Sequence, residues 1–281
     1  MLDSVGNSML KLSMMSSTAG RVPAQQVIEI AKASNLKGIE WINSHGSSGK
    51  ELKKLVDDAN LQSVAYTMYD ETFVNREKGY LDKFKEHLEI AVDANVPHMM
   101  IPPFGRVDSK GLSEDRKEWI EYFSEVYPLA QAAGMTLTLE STGLPNSPIV
   151  TADEILEVLA AVPQLKVVFD NGNTFTADNP LTAYKKLLPY ITHVHLKDNH
   201  ISNIEKEGFS LRRNNKYMRS ALIGTGNQDI KGFLNLLKET NYDSWITLES
   251  SDPDKIIPIT EALKGNVELI NQWELDGGAN E

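Results

Sequence analysis

The sequence predicts a closed (β/α)8 barrel, on three observations. Eight short apolar runs alternate with longer amphipathic segments from one end of the 281 residues to the other. Helical patterns separate successive runs, which calls for right-handed βα units and a parallel sheet. No Gly-rich linker or break in composition divides the chain, and α/β barrels reach this length as one unit, so residues 1–281 are expected to form a single barrel domain. An open doubly wound sheet is the alternative, but no G-x-G-x-x-G follows the first run.

The strand candidates are MLKLSM (9–14), KGIEWI (37–42), LQSVAYT (61–67), VPHMMI (96–101), MTLTLE (135–140), LKVVFD (165–170), ITHVHL (191–196) and SWITLE (244–249). Val22-Pro23 opens the helical pattern PAQQVIEIAKAS, because proline's fixed φ suits a first turn. Thr151 opens TADEILEVLAAV and Asp229 opens DIKGFLNLLKET, since a short oxygen-bearing side chain accepts from a free N–H of the first turn. One connection is long, from 197 to 228 after the seventh strand, and it carries His200, Arg212, Arg213, Lys216 and Arg219 before ending in IGTGNQD. It leaves the C-terminal face, where barrel enzymes hold their active sites, and reads as a lid bringing cations to an anionic or polyhydroxy substrate. Gly224 and Gly226 near its end read as a plain turn; backbone N–H groups cradling a phosphate are the alternative.

Composition excludes several classes of function. The formal charge is 28 − 39 = −11 without a basic tract, so nothing marks a nucleic-acid partner. There are no cysteines, which removes disulfides and thiolate metal sites and leaves oxygen and nitrogen as the only metal donors. The opening residues MLDSVGNSMLKLSMMSS lack a basic start followed by a long apolar core, and no run approaches the ~20 apolar residues of a spanning helix. The expected location is the cytoplasm, with no membrane partner; a homo-oligomer is compatible with this reading.

Side chains alternate along a strand, so the last strands sort cleanly into two faces. Leu137, Leu139, Val167, Phe169, Val194, Leu196, Ile246 and Leu248 share one face, and Thr136, Thr138, Glu140, Asp170, His193, His195, Thr247 and Glu249 the other. Glu140, Asp170, His195 and Glu249 stand at the ends of strands five to eight, neighbours around the ring, so their tips should converge. Carboxylates that close repel one another unless a cation or shared protons intervene. An O,O,O,N set suits one divalent ion, Mn²⁺, Mg²⁺ or Co²⁺ first and Zn²⁺ as an alternative. Glu140 and Glu249, on opposite sides of the cavity, are candidates to give and take a proton on opposite faces of a substrate, and a metal chelated by a carbonyl and a neighbouring hydroxyl would stabilise the enediolate so formed. His45, in INSHGSSG after the second strand, is a candidate to line the mouth. His87, in a helical pattern, and His98, at the start of the fourth strand, read as structural. Trp41, Trp245, Phe104 and Phe175 are candidate apolar walls of a pocket.

LTLEST, VVFDNGN, HVHLKDN, IGTGNQD and ITLES, with GIEW at 38–41, resemble the xylose-isomerase-like TIM-barrel superfamily of sugar isomerases and epimerases. That group includes tagatose and psicose 3-epimerases, hydroxypyruvate isomerase and inosose dehydratase, with endonuclease IV more distant. The resemblance spans essentially the whole chain. It implies that Glu140, Asp170, His195 and Glu249 are the metal ligands, that Glu140 and Glu249 double as the acid/base pair, and that Lys197 contacts substrate oxygens. Relatives usually carry a His three residues after the metal-binding Asp; here Asn173 stands there, a substrate-contact position whose amide keeps a donor and an acceptor but cannot carry a proton or a charge.

The expected function is a divalent-metal-dependent isomerase or epimerase of a sugar, sugar phosphate or related keto-polyol, a part of carbohydrate metabolism. A lyase of the inosose-dehydratase kind on the same site is the alternative. An endonuclease IV-like phosphodiesterase would need further early-strand His ligands, where strand four ends in Ile101-Pro102-Pro103 instead. A non-catalytic sugar-binding barrel is the remaining reading, motivated by Asn173.

Overall fold

The structure, a computed structural model, describes residues 10–278 of the chain. Met9, which opens the first expected strand, most of the amino-terminal stretch read for a targeting signal, and residues 279–281 of the expected domain lie outside the described residues.

Eight parallel strands close on themselves. These are β1 (Lys11–Met15), β2 (Gly38–Ile42), β3 (Gln62–Thr67), β4 (His98–Ile101), β5 (Thr136–Leu139), β6 (Lys166–Asp170), β7 (Ile191–Leu196) and, after three short strands outside the barrel, β11 (Trp245–Leu248). β1 pairs with both β2 and β11, so the sheet has no edge and the open alternative does not apply. Each of the eight expected strands is present: β7 spans the expected residues, β1 starts later and ends one residue further on, and the other six are trimmed by one or two residues.

Between strands run α1 (Ala24–Ala33), α2 (Gly49–Asp58), α3 (Glu71–Val74), α4 (Tyr80–Asp93), α5 (Leu112–Ala132), α6 (Ala152–Ala161), α7 (Asn171–Thr174), α8 (Pro180–Leu187) and α9 (Ile230–Glu239), with α10 (Ile259–Gly278) after the last. Their starts follow from local chemistry. Thr151 accepts from the N–H of Glu154 while the Glu154 side chain returns to the N–H of Thr151, a reciprocal cap, and Asp229 accepts from Gly232 N–H. Pro23 precedes α1 as its N-cap. Among the described residues, no helix is long and apolar enough to cross a membrane.

The apolar core lies between barrel and helices. Leu137, Leu139, Val167, Phe169, Val194, Leu196, Ile246 and Leu248 all belong to it, as the strand alternation predicts. Phe169, Tyr184 and Phe233 interlock there with ring centroids 5.4–5.6 Å apart. Burying each such side chain contributes about 1.5–3 kcal/mol. Trp41 also faces the helices, its indole N–H donating to Ser63 Oγ, so it packs the core and walls no pocket.

The lumen is polar instead. Ser13, Glu40, Thr67, Thr138, His193, His195 and Thr247 are buried and bonded to one another or to the strands' backbone. His98 is buried at the N-terminal end with its Nδ1 3.0 Å from Thr138 Oγ1, and His87 lies in α4 against Tyr66 and Asp70, which gives both the structural settings expected of them. Burial pushes the His98 imidazole down to about 3, so it stays neutral. A cavity of about 150 Å³ at this end is lined by His98, His193, Trp245 and Thr192 among others.

The long connection after β7 is not an irregular loop. β8 (Asp198–Ser202), β9 (Ser210–Leu211) and β10 (Tyr217–Ala221) form an antiparallel three-stranded flap in the order β8-β10-β9. One side chain ties its two ends together. The Asp198 carboxylate accepts from the backbone N–H groups of Asn199, Gly224, Gly226 and Gln228. A Cβ on Gly226 would sit 2.3 Å from Asp198 Oδ1, so only glycine allows this approach. The amides that might have cradled a phosphate already hold a carboxylate, which makes IGTG the structural turn.

Candidate functional site

The parity of β5, β6, β7 and β11 brings their last inward side chains to the C-terminal mouth. His195 Nδ1 lies 2.8 Å from Glu140 Oε2 and 3.7 Å from Asp170 Oδ2, and the three atoms sit within 4.8 Å of one another. All three are buried, and none has an aligned hydrogen-bond partner. Two carboxylate oxygens and an imidazole nitrogen crowded at one buried point, engaged only in ion pairs with one another and with Lys197, fit a divalent ion that would accept all three. Glu249 stands beside this group, its Oε2 2.5 Å from Lys197 Nζ.

Lys197 links the carboxylates. Its Nζ is also 3.1 Å from Asp170 Oδ2 and 3.3 Å from Asn173 Oδ1. The chain opposite makes room for it, since a Cβ on Gly172 would lie 2.2 Å from Lys197 Cγ. Asn171 exchanges two hydrogen bonds of 2.9 Å with the Lys197 backbone, holding the stem in place. Asn173 is tied into the protein: its Nδ2 donates to Ser141 O at 2.9 Å, its Oδ1 accepts from Lys197, and its backbone N–H caps Asp170 Oδ1 at 2.7 Å. His45, by contrast, is held outside the cluster, with Nδ1 2.8 Å from Val22 O and Nε2 2.7 Å from Ser16 Oγ.

Glu40 is the residue that reasoning from the strand ends missed. It stands in mid-strand in β2, wholly buried, and its carboxylate receives His195 Nε2 at 2.7 and 2.9 Å, His193 Nε2 at 3.2 Å and Thr67 Oγ1 at 2.8 Å. The signal was one charged residue on the inward face of GIEWI; its histidine partners, however, lie more than 150 positions away.

Electrostatics separate the groups. Burial pushes the Glu140 carboxyl up to about 7, with Asp170 and Glu249 adding to the effect and His195 opposing it. Burial acts upward on Asp170 too, but Lys197, His195 and the Asn173 N–H outweigh it and hold that carboxyl below its ordinary value. For Glu40, burial is overcome by the charge of His195 and by hydrogen bonds from both histidines, leaving it well below the usual range. Burial would depress His195, yet Glu40 and Glu140 raise it well above an ordinary imidazole. Lys197 is raised in the same manner by Asp170 and Glu249 against its desolvation.

A metal must displace the protons on Glu140 and His195 to reach their donor atoms. Metal affinity is therefore expected to rise with pH, at least about tenfold per unit below 7, with at least one proton released per ion bound. Calorimetry in buffers of different ionisation enthalpy measures this; affinity flat between pH 6 and 8 would contradict it.

Above the mouth, the flap commits most of its cations elsewhere. Arg213 forks onto Glu154 at 3.0 and 2.7 Å, and Arg219 pairs with Asp254. Arg212 faces the site: burial lowers its guanidinium while Glu249 and Asp170 act to raise it, and its Nε is buried without a hydrogen-bond partner.

Comparison with known proteins agrees with this architecture. The model of a family described as xylose isomerase-like TIM barrel matches residues 28–273. An inosose dehydratase from Clostridium botulinum is 26% identical over 268 residues, 86% of either chain. Among solved structures, 3-keto-D-glucoside 4-epimerase from E. coli superposes with a TM-score of 0.71 at 15% identity, covering 94% of this chain and 99% of that one. The IolI protein with a bound zinc atom superposes with a TM-score of 0.74 at 17% identity, covering 94% and 98%.

Proposed function

The chain belongs to the xylose isomerase-like TIM barrel family, and on that footing we propose that it is a divalent-metal-dependent enzyme that isomerises or epimerises a sugar, sugar phosphate or related keto-polyol by moving a proton next to a carbonyl. The observation that carries this reading is the convergence of three buried donor atoms from Glu140, Asp170 and His195. With Glu249 they would hold the ion, Mn²⁺, Mg²⁺ or Co²⁺ by donor type; the zinc in the IolI protein keeps Zn²⁺ as an alternative. When bound, the ion supplies Lewis-acid stabilisation of negative charge on substrate oxygens.

The side chains divide the remaining work. Glu249, the less buried carboxylate, takes the carbon-bound proton, and Glu140 returns one on the opposite face. Lys197, held in its ammonium form, donates hydrogen bonds to substrate oxygens and orients Glu249. Asn173 secures Lys197 but has no proton to give, and a transfer between two carboxylates needs none from it. The flap acts as a lid, with Arg212 meeting an anionic or hydroxyl-rich part of the substrate.

Loss of water is the second reading, favoured by the full-length similarity to an inosose dehydratase. The metal-loaded protein, screened in D2O against ketoses, their phosphates and inososes, separates the two. A product isobaric with substrate apart from deuterium supports isomerisation, and a product lighter by water replaces it with dehydration. Binding without any deuterium uptake or turnover would sink both.

A further inference from the structure

Glu40 has no counterpart in the proton-transfer scheme, yet the lumen is arranged around it. We propose that Glu40 is a positioning residue that fixes His195 with its proton on Nε2, so that Nδ1 is the atom offered to the metal. The inference rests on the metal reading of Glu140, Asp170 and His195.

The hydrogen-bond directions carry the argument. An ionised carboxylate accepts only, so whatever meets Glu40 must donate. Thr67 Oγ1 donates at 2.8 Å, and His195 Nε2 lies within 2.9 Å of both carboxylate oxygens. The His195 proton therefore belongs on Nε2. His193 follows by a separate route: Ser13 Oγ donates to Ile246 O, so Thr247 Oγ1 donates to Ser13 and must accept from His193 Nε2 at 2.7 Å. Both imidazoles thus point protonated Nε2 atoms at Glu40 and its neighbours. On the far side of the His195 ring, Nδ1 faces Glu140 and Asp170 without an aligned hydrogen bond.

The cluster of Glu40, His193 and His195 Nε2 has the spacing of a metal site in its own right. Its donor atoms are all engaged in aligned hydrogen bonds, however, whereas the three on the Nδ1 side have none. Burying a carboxylate in a lumen that an apolar side chain could fill is costly unless the charge is used. Here it both chooses the tautomer and increases the basicity of Nδ1, as carboxylates behind metal-bound histidines do.

The test compares Glu40→Gln with Asp170→Asn and reads Mn²⁺ affinity of the purified, metal-stripped protein by calorimetry. Glu40→Gln preserves volume and is expected to weaken binding about 10–100-fold and, because His195 loses its buried partner, to lower the metal-free melting temperature as well. If Asp170→Asn loses metal while Glu40→Gln binds within twofold of wild type, the role of Glu40 is overturned and the metal site stands. If Asp170→Asn binds as wild type, the metal reading fails and this inference falls with it. Wild-type protein loaded with Zn²⁺ and labelled with 15N-histidine gives a second readout that does not depend on a variant folding. A proton on His195 Nε2 with metal on Nδ1 is expected, and the reverse arrangement overturns the proposal.

Discussion

Glu249→Gln is expected to lower turnover by about 10²–10⁴-fold, the range that loss of a general base costs. Glutamine keeps the shape of the side chain and its reach toward Lys197, 2.5 Å away in the wild type, but cannot take a proton from carbon. The fold should be untouched, because Glu249 lies at the mouth and a third of its side chain is exposed to solvent. Substrate-proton exchange with D2O is the direct measure. Exchange at the wild-type rate would remove Glu249 from the role of base and shift that role to Glu140.

His195→Ala is expected to act on both metal and fold. The imidazole stands between two carboxylates, Glu40 on its Nε2 side and Glu140 on its Nδ1 side, with none of its surface exposed. Removing it deletes a ligand, so metal affinity should fall by more than the ~10–100-fold that a supporting residue costs. It also strands Glu40, whose charge keeps only His193 and Thr67 as partners, and breaking a buried pair costs about 3–5 kcal/mol. Calorimetry with Mn²⁺ and thermal melting of the metal-free protein should both report large losses. Normal affinity would show that the ligand set is wrong, and an unchanged melt that Glu40 does not depend on this ring.

Much of the barrel was legible because period-two alternation is a local property. Val167, Phe169, Val194 and Leu196 could be assigned to the helix-facing side, and Asp170 and His195 to the lumen, from their immediate neighbours alone. Glu140, Asp170 and His195 could be grouped because consecutive strands in a βα series lie side by side. Glu40 escaped because its meaning depends on β2 facing β7 across the lumen, a relation that no local pattern contains. The flap escaped for a different reason. DNHIS and YMRSA bury polar residues such as Asp198, Asn199 and Ser202 alongside apolar ones, so they lack the apolar alternation that separates strand from loop. Asn173 was singled out in the sequence as standing where the resemblance implies a His, but only the structure connects it to Lys197 and Ser141.

The clasp at Asp198 bears on how this protein could diversify. Because one carboxylate gathers the amides at both ends of the excursion, the chain between Ser202 and Tyr217 begins and ends at nearly the same place, whatever its length. Insertions, deletions or an exchanged hairpin in that stretch would leave the barrel's strand register and its four strand-end ligands where they are. With the flap acting as the proposed lid, substrate preference becomes modular: new specificity can be tried there without disturbing the strand ends beneath it.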